Sequence, residues 1–147
     1  MKNDVDYIKR CELLAAEAAA KGEAPVGSII AKGDEIISEA IEAAKYKNDI
    51  TCHAELEAIR LAVKKLKTND LSDCILYSTH EPCIMCSYAI RFYKISKVVF
   101  LHKVNHLGGV SSSMPLLTSN EAPPHWANAP VINQIKITDE NEDLQKI

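Results

Sequence analysis

The order of patterns along this chain predicts one α/β domain, a three-layer α/β/α sandwich around a partly parallel sheet. Three observations carry that expectation. Apolar residues recur at helical spacing at Ile8, Cys11, Leu14, Ala15 and Ala18, and again at Leu56, Ile59, Ala62, Val63 and Leu66. Short β-rich runs lie between and after these stripes, at 26–31, 74–79 and 97–101. Strands that alternate with helices favour a sheet covered on both faces.

The first helix is expected from Asp4 to Lys21, with Gly22 suited to the position just past its end. Residues 26–31 and 35–38 read as two strands joined across Lys32, Gly33 and Asp34. Residues 43–51 are mostly polar and read as a loop. The second helix is expected over 52–67, with Lys64, Lys65 and Lys67 crowding the end where cations suit the helix dipole. A strand follows at 74–79, and Pro82 opens a third helix that runs to Phe92, because proline fits a first helical turn. The run at 97–101 is the best strand, apolar enough to be central. A long Gly-, Ser- and Pro-containing loop spans 103–130, with an apparent insertion at 120–128. A last strand is expected at 131–137 and a short helix at 140–147.

The 147 residues suit a single domain over 1–147, and no repeat or interdomain linker divides them. With 47% apolar and 25% charged residues, the composition is that of a globular protein. No apolar run approaches the ~20 residues of a membrane-spanning helix. The polar N-terminus lacks a signal-peptide core, and five cysteines, an odd number, suit free thiols, so a cytoplasmic location is expected. A net charge of −3 and a pI near 5.9 disfavour an RNA partner without excluding one, since a local basic patch can hide in an acidic total.

The chemistry concentrates in His53-Ala54-Glu55 and Pro82-Cys83-Ile84-Met85-Cys86. One imidazole and two thiolates make three protein ligands, which leaves a fourth zinc position for water, whereas structural zinc is normally closed by four. Cys83 and Cys86 are three apart, so near a helix start both can face one side. A helix N-terminus also lowers a thiol's pKa. His53 and Glu55 are two apart and would diverge within a regular helix, so His53 is expected at the N-terminal edge of the second helix. Two helix N-termini would then converge on one metal. A lone C-x-x-C is more often a structural half-site or a redox pair, but no second C-x-x-C follows and no thioredoxin-like context surrounds this one. Cys11, Cys52 and Cys74 read as structural.

These motifs resemble the cytidine deaminase superfamily, in particular the branch containing bacterial tRNA adenosine deaminase and guanine deaminase. The likeness runs from about Glu23 to Thr138. It includes Ala24-Pro25-Val26-Gly27, the segment Asp49-Ile50-Thr51-Cys52-His53-Ala54-Glu55, the segment 76–86 and Lys97-Val98-Val99-Phe100. The resemblance implies a mixed five-stranded sheet, a homodimer or higher oligomer, and one zinc ion per chain on His53, Cys83 and Cys86. It implies Glu55 as proton shuttle, and substrate contacts at Ala54 and around Glu81 and Pro82. One position departs from the pattern. Where the family usually carries a substrate-binding asparagine, an ungapped count back from His53 gives Glu42, which when ionised only accepts hydrogen bonds. The alternative is a shifted loop, with Glu42 solvated and Asn48 supplying the amide. Trp126, the one tryptophan, reads either as a lid that stacks on a planar base or as a packing anchor or subunit contact. His102 and His106 read as solvated loop histidines.

The leading functional expectation is a zinc-dependent hydrolase that deaminates a small purine-type heterocycle such as guanine. The second is a tRNA adenosine deaminase acting at the wobble position, with Lys45, Lys47, Arg91, Lys94, Lys97 and Lys103 as its basic face. A third, from another class, is a non-catalytic zinc-stabilised interaction module, against which Glu55 argues because a structural site has no need of it.

Overall fold

Asn3 begins the first helix with a reciprocal cap. Its side chain accepts the Asp6 N–H at 2.9 Å, and the Asp6 carboxylate accepts the Asn3 N–H at 3.0 Å. The computed structural model of the chain describes residues 2–136. They form α1 (Asp4–Ala20), β1 (Gly27–Lys32), β2 (Glu35–Ile41), α2 (Ala54–Leu66), β3 (Ile75–His80), α3 (Ile84–Phe92), β4 (Lys97–His102) and β5 (Val131–Gln134). The helix expected at 140–147 lies outside the described residues, and the strand expected over 131–137 already ends at Gln134.

The five strands form one sheet in the order β2-β1-β3-β4-β5. β1 is antiparallel to both β2 and β3, while β3, β4 and β5 run parallel. The sheet is therefore mixed, as expected. The strand period of two divides the apolar residues between its faces. Ile29, Ala31, Tyr77, Val99 and Leu101 pack with Tyr7, Ile8, Cys11 and Leu14 of α1. Ile30, Leu76, Val98 and Phe100 pack with Ala58, Ile59 and Ala62 of α2 and Ile90 of α3. Fully burying a side chain such as Ile29 or Ile30 contributes roughly 1.5–3 kcal/mol, so these two layers carry much of the stability. Gly27 lets α1 approach closely, because a Cβ there would lie 2.5 Å from the Cys11 carbonyl oxygen.

At two boundaries contacts distant in sequence override the expectation. β2 continues to Ile41 rather than ending at Ser38, because its pairing with β1 extends until Ile41 faces Gly27. Pro82 does not open α3. Cys83 is held extended (φ −72°, ψ 176°) by a bridge to Gly108, so the helix begins at Ile84 with Cys83 as its N-cap. The strand at 97–101 lies inside the sheet, but β3 takes the middle place. No helix among the described residues is long and apolar enough to cross a membrane.

Candidate metal centre and active site

The N-termini of α2 and α3 bring the two motifs together. His53 is the N-cap of α2, with extended backbone (φ −64°, ψ 151°), so its ring can leave the helix axis. Its Nδ1 lies 3.6 Å from Cys83 Sγ and 3.5 Å from Cys86 Sγ, and the two sulfurs are 3.6 Å apart. Zinc bonds of about 2.0–2.3 Å in a tetrahedron require ligand-to-ligand edges of roughly 3.6–3.8 Å. The three atoms therefore fit one zinc ion, and no other His, Cys, Asp or Glu group of this kind occurs among the described residues. Without a metal the three groups share protons through their mutual contacts. The Cys83 thiol is pulled down to about 4, first by a hydrogen bond from Cys86 and then by His53. Cys86 is pushed up, first by its bond to Cys83 and then by burial. His53 is raised to about 9, chiefly by Cys83. Metal binding releases such protons.

Beside this cluster is a cavity of about 140 Å³ lined by the apolar Val26 and Val104 and by Glu42, His53, Glu55, Cys83, His80 and Glu81. Glu55 is 4% exposed in the first turn of α2. Burial pushes its carboxyl up to about 8. A group near neutrality can both take and return a proton at physiological pH. Ala54, also expected at the substrate, is fully buried, and its N–H donates to Glu42.

Glu42 is in the cavity, not in solvent. One oxygen accepts the Ala54 N–H at 2.8 Å and the other lies 4.0 Å from His53 Nε2. Asn48 does not replace it, being exposed in a turn with φ +49°. Glu81 lines the cavity, but its carboxylate is directed to the 103–113 loop, where it accepts from Val104, Val110 and Ser111. Burial alone would raise this carboxyl, and those donors outweigh it and hold it low. Pro82 is outside the cavity lining, and its carbonyl accepts the Gly109 N–H at 2.7 Å.

Trp126 is not at the cavity. Its ring meets Tyr88 edge-on at 5.0 Å, with the Arg91 guanidinium over it at 5.6 Å, so the 120–128 segment packs on the outer side of α3. Within the chain Trp126 is therefore not among the residues that line the cavity. The expected basic face is also partly dismantled. Arg91 is buried and donates to the Leu116 and Ser119 carbonyls, Lys47 pairs with Glu57, and Lys97 pairs with Asp4. His102 lies 3.7 Å from Glu12 and beside His80, 5.1 Å between ring centroids.

Sequence reasoning missed Glu23. Its buried carboxylate accepts the Lys45 and Tyr46 N–H groups at 3.0 and 2.7 Å and so shapes the loop before His53. Nothing in the local pattern signals a contact across 22 residues.

A mixed sheet whose helix N-termini join a His/Cys/Cys cluster to a buried glutamate defines a zinc-dependent deaminase domain. The chain belongs to the family described as the cytidine and deoxycytidylate deaminase zinc-binding region, whose pattern matches residues 1–102. It is 48% identical over 113 residues to a tRNA-specific adenosine deaminase of Aquifex aeolicus, covering 76% of this chain and 75% of that protein. It is 42% identical over 99 residues to a guanine deaminase of Bacillus subtilis, covering 67% of this chain and 63% of that one. Among solved structures, a tRNA:A34 deaminase superposes with a TM-score of 0.79 at 28% identity, covering 88% of this chain and 97% of the other. The enzyme is thus a zinc-dependent deaminase with one zinc ion per chain, and the acidic composition does not disfavour an RNA partner.

Proposed function

We propose that this chain replaces an exocyclic amino group of a purine-type nucleobase, or a related small heterocycle such as guanine, by oxygen, with release of ammonia. The observation that carries this reading is Glu55: a buried carboxyl on the wall of a small cavity, two residues from His53, to which no other side chain of the described residues donates. His53 Nδ1 and the Cys83 and Cys86 sulfurs would hold the metal. Zinc in such a site supplies a bound water with a pKa near 7, hence a nucleophile at neutral pH. Glu55 would take one proton of the attacking water and give it to a ring nitrogen, then pass the second proton, from the oxygen now bonded to the ring carbon, to the departing amine. Water and the amine are consumed, and the oxo product and ammonia are formed, so no other reactant is required. Val26 and Val104 give the planar ring an apolar wall, and Glu42 favours a substrate edge rich in N–H donors.

A second reading is deamination of adenosine within tRNA. The 48% identity to a tRNA-specific adenosine deaminase favours it, and the paired and buried basic residues do not. Ammonia release from free bases, nucleosides and an anticodon stem-loop separates the two. Turnover of a free base supports the first; turnover of the stem-loop alone replaces it with the second. A homodimer is part of the proposal. Tyr88 and Phe92, one turn apart on α3, are 55% and 41% exposed, and Leu61 on α2 is 48% exposed, apolar surface of the kind a second copy would cover.

A further inference from the structure

The carboxylate of Glu42 lies between two groups that the metal centre needs. Ala54 is the first residue of α2, and its N–H is one of the donors a helix start leaves without an intrahelical partner. His53, in the N-cap position, makes no side-chain cap hydrogen bond. Glu42 Oε1 serves instead, accepting the Ala54 N–H at 2.8 Å from the end of β2. The His53 ring is thereby free to turn Nδ1 toward Cys83 and Cys86, at 3.6 and 3.5 Å. Its other nitrogen, Nε2, then faces Glu42 Oε2 at 4.0 Å, an ion-pair distance and longer than a hydrogen bond. Among the described residues Nε2 has no other polar partner. The carboxylate is 8% exposed, so this placement is set by packing more than by solvent.

We propose that Glu42 is the positioning residue of the metal ligand His53. One oxygen anchors the start of α2, and the other selects the tautomer with the proton on Nε2, which leaves the Nδ1 lone pair for zinc. A metal-bound histidine typically donates its second ring N–H to a carboxylate, carbonyl or water, and this fixes the ring and raises its basicity. The inference rests on the zinc reading of the site. It assigns the carboxylate a task that an amide performs poorly: with its oxygen on the Ala54 N–H, an amide would turn its NH₂ toward Nε2–H and oppose donor to donor. Because Glu55 follows Ala54 directly, the same anchor also sets the backbone from which the proton-transfer group projects.

The test is zinc affinity, measured by competition with a chromophoric chelator, together with the melting temperature of the metal-free protein. Glu42→Gln, which keeps the length and one acceptor, is expected to bind zinc about 10- to 100-fold more weakly while the metal-free melting temperature stays that of the wild type. Equal zinc affinity in Glu42→Gln and wild type overturns the proposal. Should Glu42→Gln fail to fold, Glu42→Asp and Glu42→Asn form a second pair of one shape and different charge. Tighter zinc binding by Glu42→Asp supports the proposal, and equal binding by the two overturns it. A wild-type chain that takes up no zinc overturns the site reading itself, so the two failures are told apart.

Discussion

Glu81 and Ser111, thirty residues apart, share two hydrogen bonds: one Glu81 oxygen accepts the Ser111 N–H and the other its hydroxyl, each at 2.7 Å. The same carboxylate accepts the Val110 N–H at 2.8 Å and the Val104 N–H at 3.2 Å. A Cβ on Gly108 would press on it, so a side chain there would shift the carboxylate away from its donors. The loop braces the metal-binding segment in turn. Leu107 accepts the Ile84 N–H at 3.0 Å, and the backbone of Gly108 pairs with that of Cys83.

Glu81→Gln should therefore lower stability by about 2 kcal/mol, because four donors lose a charged acceptor and the new NH₂ faces donors in a buried place. Urea unfolding of the metal-free proteins measures it. A loss below about 0.5 kcal/mol, the range of an ordinary surface change, would show that the loop does not depend on this carboxylate.

Asp4 ties the start of α1 to three strands. It accepts from Tyr77 on β3, Lys97 on β4 and Asn133 on β5, each at 3.0 Å. Burial alone would raise its carboxyl, but these donors outweigh burial and hold it below its ordinary value. A depressed carboxyl contributes stability above its unfolded pKa of about 3.9 and loses it as pH falls through the folded value. Asp4→Asn is expected to cost about 1 kcal/mol at pH 7. The gap from wild type should start to narrow near pH 4 and vanish at lower pH. A gap that is constant with pH would rule out the ionised carboxylate as its source.

Trp126→Ala tests the role of the proline-containing loop. Removing a ring that is 9% exposed and packed on Tyr88 and Arg91 should cost about 3 kcal/mol in unfolding free energy. Turnover per folded molecule should stay close to wild type. A collapse of kcat/KM at unchanged stability would restore the lid.

The parts of the site legible in the sequence are those set by short spacing. Cys83 and Cys86 share a helix start, and the two-residue offset of His53 and Glu55 requires the N-terminal edge that His53 occupies. Helical and strand periods likewise located every described element, because each buries one face against the sheet. What spacing does not carry is a partner far along the chain. Pro82 was expected to open α3, but the bridge from Cys83 to Gly108 keeps it outside. Arg91 was expected on a basic face, and the carbonyls of Leu116 and Ser119 hold it inside instead. Glu42, reached by counting back from His53, lines the cavity, yet its bond to Ala54 depends on how β2 ends against α2.

The central claim is that Glu55 moves protons and does not hold the metal. Ammonia release by Glu55→Ala, with zinc content measured on the same sample, tests it most directly, on whichever substrate the wild type turns over. The expected result is a loss of at least about 10²-fold in kcat with zinc near one per chain. Undiminished ammonia release, or loss of zinc together with activity, would contradict the role assigned to Glu55.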